Sequence, residues 1–288
     1  MEKKQYYHVS SSALEKSNIF QSREDFVTGM NDIALCVLRY DVAILCFCLM
    51  NNHFHFVIKG TYGDCHAFVS EYKRMCAMRM RTNNGEVNGL KDVSIHFDHL
   101  DSQNYLENAI AYVLRNPIAA KMIMMPYMYE WSSVLAYFRN SSEMTGLQLN
   151  TLSIRKRREI LRTRHEAIPD HYHLSPHGYI HPSCYVAAEE VESIFGHPSR
   201  LMFALAKKVE NEFEVLSGAA GQIVMTDSEL KTHILELIQN EFKVCSMAQL
   251  SADDRLRLCL LVKRNFNASV KQIARILRLS HSLVASLV

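Results

Sequence analysis

The chain has 288 residues, a length that suggests two domains or one large one. Its composition, 48% hydrophobic and 22% charged, is typical of globular proteins and excludes general disorder. The net charge of +2 by itself indicates no partner, but the charges are unevenly spread. Residues 1–140 carry 14 basic and 14 acidic side chains, residues 141–254 carry 11 and 16, and residues 255–288 carry 7 and none. A basic C-terminal segment without acidic residues is typical of an element that binds phosphate groups.

The cysteines and the apolar runs indicate a reduced protein without a membrane span. There are eight cysteines, none in a CxxC pair, and several lie in apolar runs. The longest apolar run covers the nine residues 42–50, short of the ~20 needed to cross a bilayer. The first residues include no apolar signal region. We therefore expect a cytoplasmic protein that does not bind membranes.

Hydrophobic periodicity and turn residues divide the first 140 residues into alternating elements. They predict strands over 6–10, 42–50, 53–59 and 93–97, helices over 22–38, 67–80 and 105–120, and a loop over 82–89. Asn51 and Asn52 predict a tight hairpin turn, since Asn tolerates positive φ. The order β-α-β-β-α-β-α predicts an α+β fold with a ferredoxin-like or RRM-like antiparallel sheet and helices on one face.

The rest of the chain differs in character. Residues 141–186 are predicted to form a basic linker and an irregular segment, and residues 187–288 a helical region. Its end, from about 251 to 288, has a helix-turn-helix rhythm with Ser269 and Ser280 as caps. Arg278 stands where the turn usually has glycine, and the last helix offers no Arg or Gln to read a base edge. We expect phosphate contacts from Lys271, Arg275 and Arg278, although a three-helix packing domain fits the same pattern.

His53 and His55 flank Phe54 on a predicted strand. Side chains alternate along a strand, so the two imidazoles share one face while Phe54 turns to the core. Two such imidazoles could bind a metal ion together with a third ligand. Two histidines on a solvated strand face would give the same pattern.

A tyrosine and an asparagine share one face of the third predicted helix. Tyr112 and Asn116 lie four residues apart, about one helical turn. Asn116 could supply an oxygen to a cation held by the imidazoles, and Tyr112 could attack a phosphorus that the cation polarises. A packing tyrosine and a helix-terminal asparagine before Pro117 are the alternative. Tyr105, two turns earlier on the same face, is a competing nucleophile.

These motifs together resemble single-tyrosine HUH transposases of the REP-associated (IS200-like) branch. The hairpin CLMNNHFHFVIKG resembles their strand-turn-strand, YLENAIAYVLRNPIAAKM their tyrosine helix, and EWSSVLAYF the segment that follows it. The opening YYHVS and the helix HAFVSEYKRMCAMRMR fall in the expected order. The resemblance covers roughly residues 5–138. The turn departs from the family, which usually has Pro then Asn, and SSSALEKS replaces an Arg-Gly-rich stretch.

The resemblance implies a DNA strand-transfer enzyme. His53 and His55 match the family's metal ligands and Asn116 its third polar ligand, for Mg²⁺ or Mn²⁺. Tyr112 matches the nucleophile that cleaves single-stranded or hairpin DNA and stays joined to its 5′ phosphate. Residues 1–140 would be the catalytic domain, and the C-terminal helices could add contacts to duplex DNA.

Basic side chains elsewhere are weaker candidates for DNA contact. They are Lys73, Arg74, Arg79 and Arg81 on the second helix, Arg115 beside the tyrosine, and six cations between residues 155 and 164. Each group also fits a solvated helix face. The histidines at 165, 171, 173, 177 and 181, with Cys184, are spaced too loosely for a zinc site.

The sequence is also consistent with two functions other than DNA strand transfer. A relative of the transposases without catalysis could hold DNA or RNA hairpins and would need no metal. A transcription regulator could use the C-terminal helices on duplex DNA without residues 1–140.

Overall fold

The structure is a computed structural model that describes residues 2–12, 14, 18–84, 90, 93–139, 146–163, 167–207, 225–266 and 268–287. Most of the predicted loop over 82–89 lies outside the described residues, as do residues 141–145 and 164–166 of the predicted linker and irregular segment over 141–186.

Four strands and three helices make up the first part of the chain. The order is β1 (Gln5–Ser11), α1 (Arg23–Val37), β2 (Ala43–Leu49), β3 (Phe54–Gly60), α2 (Tyr62–Asn84), β4 (Ile95–His99) and α3 (Gln103–Ala119). The prediction of an α+β fold with an antiparallel sheet is confirmed. The last strand lies two residues later than predicted, and β3 begins one residue after His53.

The four strands form a single antiparallel sheet in the order β2-β3-β1-β4. In the register, His8 of β1 lies opposite Asp98 of β4, and Ser10 lies opposite both His55 and His96. Helices cover both faces of the central strands β1 and β3. Phe54 and Phe56 contact Tyr72 and Phe68 of α2 on one face, and His8 and His55 contact Tyr112 of α3 on the other. The prediction of helices on one face only is therefore wrong. The core includes Val9, Phe54 and Phe56.

Local signals explain where two of these helices begin. At α1, Ser22 and Asp25 form a capping box, with the Asp25 N–H donating to Ser22 Oγ at 3.2 Å. At α3, the Tyr105 N–H donates to Ser102 Oγ at 3.3 Å. Pro117 lies in the last turn of α3. These caps mark where α1 and α3 begin.

The segment after α3 completes the outer edge of β2. The Leu49 N–H donates to the Trp131 carbonyl at 2.9 Å, and the Ser133 N–H to the Phe47 carbonyl at 3.1 Å. The Phe47 N–H in turn donates to Ser133 Oγ at 3.0 Å. The Tyr137 hydroxyl donates to the Leu45 carbonyl at 2.6 Å. The EWSSVLAYF motif therefore satisfies backbone groups of an otherwise open sheet edge.

The other helices of the described residues fall into two groups. The first group is α4 (Ile154–Leu161), α5 (Ala188–Phe195) and α6 (Pro198–Ala206), and the second is α7 (Asp227–Phe242), α8 (Ala252–Phe266), α9 (Val270–Leu277) and α10 (His281–Leu287). Short 3-10 turns cover Pro126–Met128, Val134–Ala136, Leu149–Thr151, Pro182–Cys184 and Met247–Gln249.

Two hydrophobic clusters hold the described residues together. The first runs from Tyr7 to Leu205 and includes the sheet, so residues from α5 and α6 share the core of the first 140 residues. The second runs from Met225 to Val284. The predicted division at residue 140 follows sequence character, whereas the buried side chains divide between residues 205 and 225. The domain boundaries themselves stay a prediction.

The turn between α9 and α10 has a left-handed residue. Arg278 takes φ 55° and ψ 44°, the conformation in which glycine is favoured. Its N–H donates to the Ala274 carbonyl and closes α9. The missing glycine noted in the sequence therefore does not prevent this turn. Among the described residues, no helix is long and apolar enough to cross a membrane.

Candidate functional site

The two histidines of the hairpin lie side by side beneath α3. The ring centroids of His53 and His55 are 4.9 Å apart, with planes at 88°. Both side chains are buried, at 1% and 0% exposure. The prediction that they share a face is confirmed, but the alternative of a solvated strand face is wrong, because α3 covers that face.

The helix brings its tyrosine and asparagine to the same place. The oxygen Oδ1 of Asn116 lies 3.2 Å from Nε2 of His53. The ring of Tyr112 stands edge-on to the rings of His55 and His8, with centroid distances of 5.6 and 5.8 Å. Residues predicted from two separate motifs thus meet in three dimensions. Tyr105, the competing nucleophile, is half-buried.

Two residues that the sequence analysis missed complete the group. His8 lies on β1, and its Nε2 is 3.2 Å from Nδ1 of His55. Its Nδ1 is 3.1 Å from Oδ2 of Asp98 on β4. His8 stands in the YYHVS motif and alternates in phase with Ser10, so strand periodicity could have placed it on this face. Asp98 could not be assigned, because the predicted last strand ended at residue 97.

Burial keeps the paired histidines neutral. Desolvation lowers the pKa of His53 to about 4, against smaller upward effects of the Asn116 contact and the Glu229 charge. Desolvation also lowers the pKa of His55 well below its ordinary value, and the neighbouring His53 and His8 add to that effect. At neutral pH each ring therefore offers one lone pair, as a metal ligand must.

The hydrogen bonds test whether a cation fits here. His53 Nδ1 lies 2.8 Å from Asn52 Oδ1, so its proton sits on that nitrogen and Nε2 carries the lone pair. This lone pair faces another acceptor, Asn116 Oδ1, unless the Asn116 amide is turned to donate. Nε2 of His55 is buried without a hydrogen-bond partner among the described residues. Two imidazole nitrogens and an amide oxygen form a mixed donor set that a divalent transition-metal ion such as Mn²⁺ accepts more readily than Mg²⁺, which prefers oxygen ligands.

Within the described residues, no group of three or more His, Cys, Asp or Glu side chains could hold a metal ion. The candidate site depends on an amide, Asn116, as its third ligand. The loop histidines give no alternative: His181 has one ring nitrogen 2.5 Å from Arg139 Nη1 and the other 2.7 Å from Ser183 Oγ.

Two of the arginines predicted to touch DNA lie in the interior. Arg79 is 8% exposed, 3.4 Å from Asp32, and donates to the Asp25 carbonyl at 3.1 Å. Arg115 is 5% exposed and donates to the Leu205 carbonyl. Their guanidinium groups bind protein carbonyls and a carboxylate in the interior. The prediction that Arg79 and Arg115 contact DNA phosphates is therefore wrong.

The other cations of α2 and α4 are at least partly exposed, but several are paired. Lys73 donates to the Val93 carbonyl at 2.5 Å, and Arg74 forms a two-point ion pair with Glu71 at 2.7 Å. Arg81 is exposed. Arg162, beside α4, pairs with Glu24 across the fold. These pairs reduce the positive field near the sheet.

At the C-terminal end, Lys271 and Arg278 are exposed. Arg275 is held by Asp227 through two hydrogen bonds of 2.8 Å. The C-terminal segment 255–288, which has no acidic residue of its own, is therefore paired with a carboxylate of α7. Lys231, Arg255, Arg275 and Arg278 line one cleft between α7, α8 and α9.

Comparisons with known proteins add little to this geometry. No protein-family model and no curated protein matches the chain. A solved structure of a REP-associated tyrosine transposase bound to a REP hairpin is similar at 11% identity, with a TM-score of 0.38. The match covers 47% of this chain and 79% of that one.

Proposed function

We propose that this protein nicks and rejoins single-stranded DNA in a metal-dependent reaction with Tyr112 as the nucleophile. One observation carries the proposal: His53 and His55 of the hairpin meet Tyr112 and Asn116 of α3 in one buried group. The strand order, together with the order of elements, also supports a ferredoxin-like frame for the catalytic part.

His53, His55 and Asn116 would hold the Mg²⁺ or Mn²⁺ ion. When bound, that ion would polarise the oxygens of the scissile phosphate. The protein's own contribution is placement. The hairpin fixes the two imidazoles, and one turn of α3 sets the spacing between Tyr112 and Asn116. Tyr112 is thereby kept on the same side of the sheet as the ligands.

The chemistry balances without an external energy source. The Tyr112 hydroxyl loses its proton to a base and its oxygen bonds to the phosphorus, while the bond from phosphorus to the 3′ oxygen breaks. The 3′ oxygen takes up a proton, and the 5′ phosphate stays on the tyrosine as an ester. Attack by a 3′ hydroxyl on that ester reverses the sequence and rejoins a strand.

A second candidate is a nucleic-acid hairpin binder without catalysis. Tyr112 and Asn116 are only 5% and 4% exposed, and this burial favours it. For the first proposal, DNA binding must open a path to Tyr112. In either case Lys271 and Arg278 on the C-terminal helices are the exposed cations from which we propose backbone contacts to DNA.

Trapping of a covalent adduct tests the proposal. The full chain is incubated with Mn²⁺ and a pool of single-stranded hairpin oligonucleotides labelled at the 3′ end, because the tyrosine keeps the downstream fragment. We expect a labelled protein band on a denaturing gel for the wild type and for Tyr105→Phe, the matched control on the same helix. Tyr112→Phe should give none, and an adduct in that variant would overturn the assignment. Binding of the same pool that ignores chelator, with no adduct, would support the second candidate.

A further inference from the structure

We infer that His8 and Asp98 are positioning residues that fix the tautomer of His55 and thereby aim its bare Nε2 nitrogen at the metal. The use made of this nitrogen rests on the proposed function. The hydrogen-bonded relay from the Asp98 carboxylate through the His8 ring to the His55 ring does not depend on that function, because the sheet alone places these three residues.

The sheet register builds the relay. Asp98 lies directly opposite His8 across the pair of β1 with β4. On the other side of β1, His55 lies opposite Ser10, which places it diagonally from His8 on the same face. Three neighbouring strands thus line up Asp98, His8 and His55, with contacts of 3.1 and 3.2 Å.

The geometry of the two rings is that of a direct hydrogen bond. The planes of His8 and His55 lie within 14° of each other, and their centroids are 5.4 Å apart. That separation is close to the 3.2 Å nitrogen distance plus two ring radii. The two nitrogens therefore lie on the line between the ring centres, in the plane of each ring, where N–H and lone pair point.

The direction of each proton follows from the carboxylate. A carboxylate oxygen accepts, so Nδ1 of His8 carries the proton of that hydrogen bond. When this is the only proton on the His8 ring, its Nε2 accepts and His55 donates from Nδ1. The remaining nitrogen of His55, Nε2, is left with a lone pair.

That lone pair is the one without a partner. Nε2 of His55 is buried and makes no hydrogen bond to any described residue. An unsatisfied buried polar atom costs stability, and a ligand role offsets that cost. The tautomer of His53 is fixed in the same way by a different group, because its Nδ1 donates to Asn52 Oδ1 at 2.8 Å. Each of the two imidazoles is thus oriented through Nδ1 and presents Nε2.

The tautomer can be read without metal or DNA. In the full chain labelled with ¹⁵N at histidine, long-range proton–nitrogen spectra distinguish a protonated Nδ1 from a protonated Nε2. We expect His55 to be protonated on Nδ1 in the wild type and in Asp101→Ala, an exposed control at the end of the same segment. In Asp98→Ala the preference should be lost. A wild-type His55 protonated on Nε2 would overturn the inference.

Metal affinity gives the second readout. Measured from free Mn²⁺ by electron paramagnetic resonance, the dissociation constant should rise about 10–100-fold in Asp98→Ala. It should stay within about twofold in Asp101→Ala, and Asp98→Asn, which keeps an acceptor oxygen, should fall between them. Equal affinity in Asp98→Ala and wild type would also overturn the inference. If the tautomer and affinity behave as expected but no DNA adduct forms, the proposed function fails while the relay stands.

Discussion

Two H-x-H motifs occur in this chain, and they have opposite surroundings. His53 lies just before the central strand β3 and His55 lies on it, both under α3. In each ring one nitrogen keeps a lone pair that faces the candidate site. His171 and His173 lie on an irregular segment. There, His171 Nε2 meets the Cys184 carbonyl at 3.1 Å, and His173 Nδ1 meets Cys184 Sγ at 3.3 Å.

The contrast teaches that the motif alone does not define a metal site. Strand periodicity puts two imidazoles on one face, and a covering helix then brings an amide oxygen to them. In the loop, the ring nitrogens of His171 and His173 form hydrogen bonds with neighbouring carbonyl and thiol groups, and the His173 ring packs against another ring. His173 lies against His181 with planes at 13° and centroids 5.5 Å apart.

The largest expected difference between the motifs is in metal affinity. His55→Gln should weaken Mn²⁺ binding at least ~100-fold, because it removes a direct ligand from a site that has few. His173→Gln should leave the affinity within about twofold of the wild type. Titration of free Mn²⁺ by electron paramagnetic resonance measures both. Equal losses in the two variants would contradict the distinction drawn between the motifs.

Acid, by contrast, should act in the same direction on His53 and on His181, the loop histidine that lies against His173. Burial lowers the pKa of His53 and of His181 to about 4, below the ordinary 6.5 of an unfolded histidine. Between these values the unfolded chain binds protons that the folded metal-free protein does not. The free energy of unfolding should therefore fall as the pH drops from 6.5 to 4, by about 3 kcal/mol for the fully buried His53.

Urea unfolding at pH 7, 5.5 and 4 measures this dependence. His53→Gln should flatten the fall, whereas His281→Gln, a substitution at an exposed position, should leave it unchanged. A wild-type stability that does not change across this range would show that His53 is solvated in solution.

The smallest effect concerns packing around the loop motif. A Cβ added at Gly146 would overlap the Leu174 carbonyl oxygen and lie 2.6 Å from the His173 ring. Gly146→Ala should therefore lower the free energy of unfolding by about 1–3 kcal/mol without changing Mn²⁺ affinity. The control is Gly63→Ala in α2, where the nearest atom is 3.9 Å away and a gain of up to about 1 kcal/mol is expected. Lost metal affinity in Gly146→Ala would link the two motifs.

Much of the catalytic part followed from local patterns. Periodicity placed the four strands and three helices in order, and the i,i+4 spacing put Tyr112 and Asn116 on one face. The interior positions of Arg79 and Arg115 could not be foreseen, since each depends on a distant partner, Asp32 or the Leu205 carbonyl. The sharing of one core by residues on either side of 140 depends on long-range contacts such as the bridge of Val186 to Ile44.

The sequence by itself determined which side chains share a face, because strand and helix periods are local properties of the backbone. His53 with His55, and Tyr112 with Asn116, are placed in this way. Tertiary structure alone decided that the two faces meet, that α3 excludes water from them, and that Asp98 and His8 continue the line to His55. Strand order and register set these contacts, and both depend on pairings between residues up to 90 positions apart.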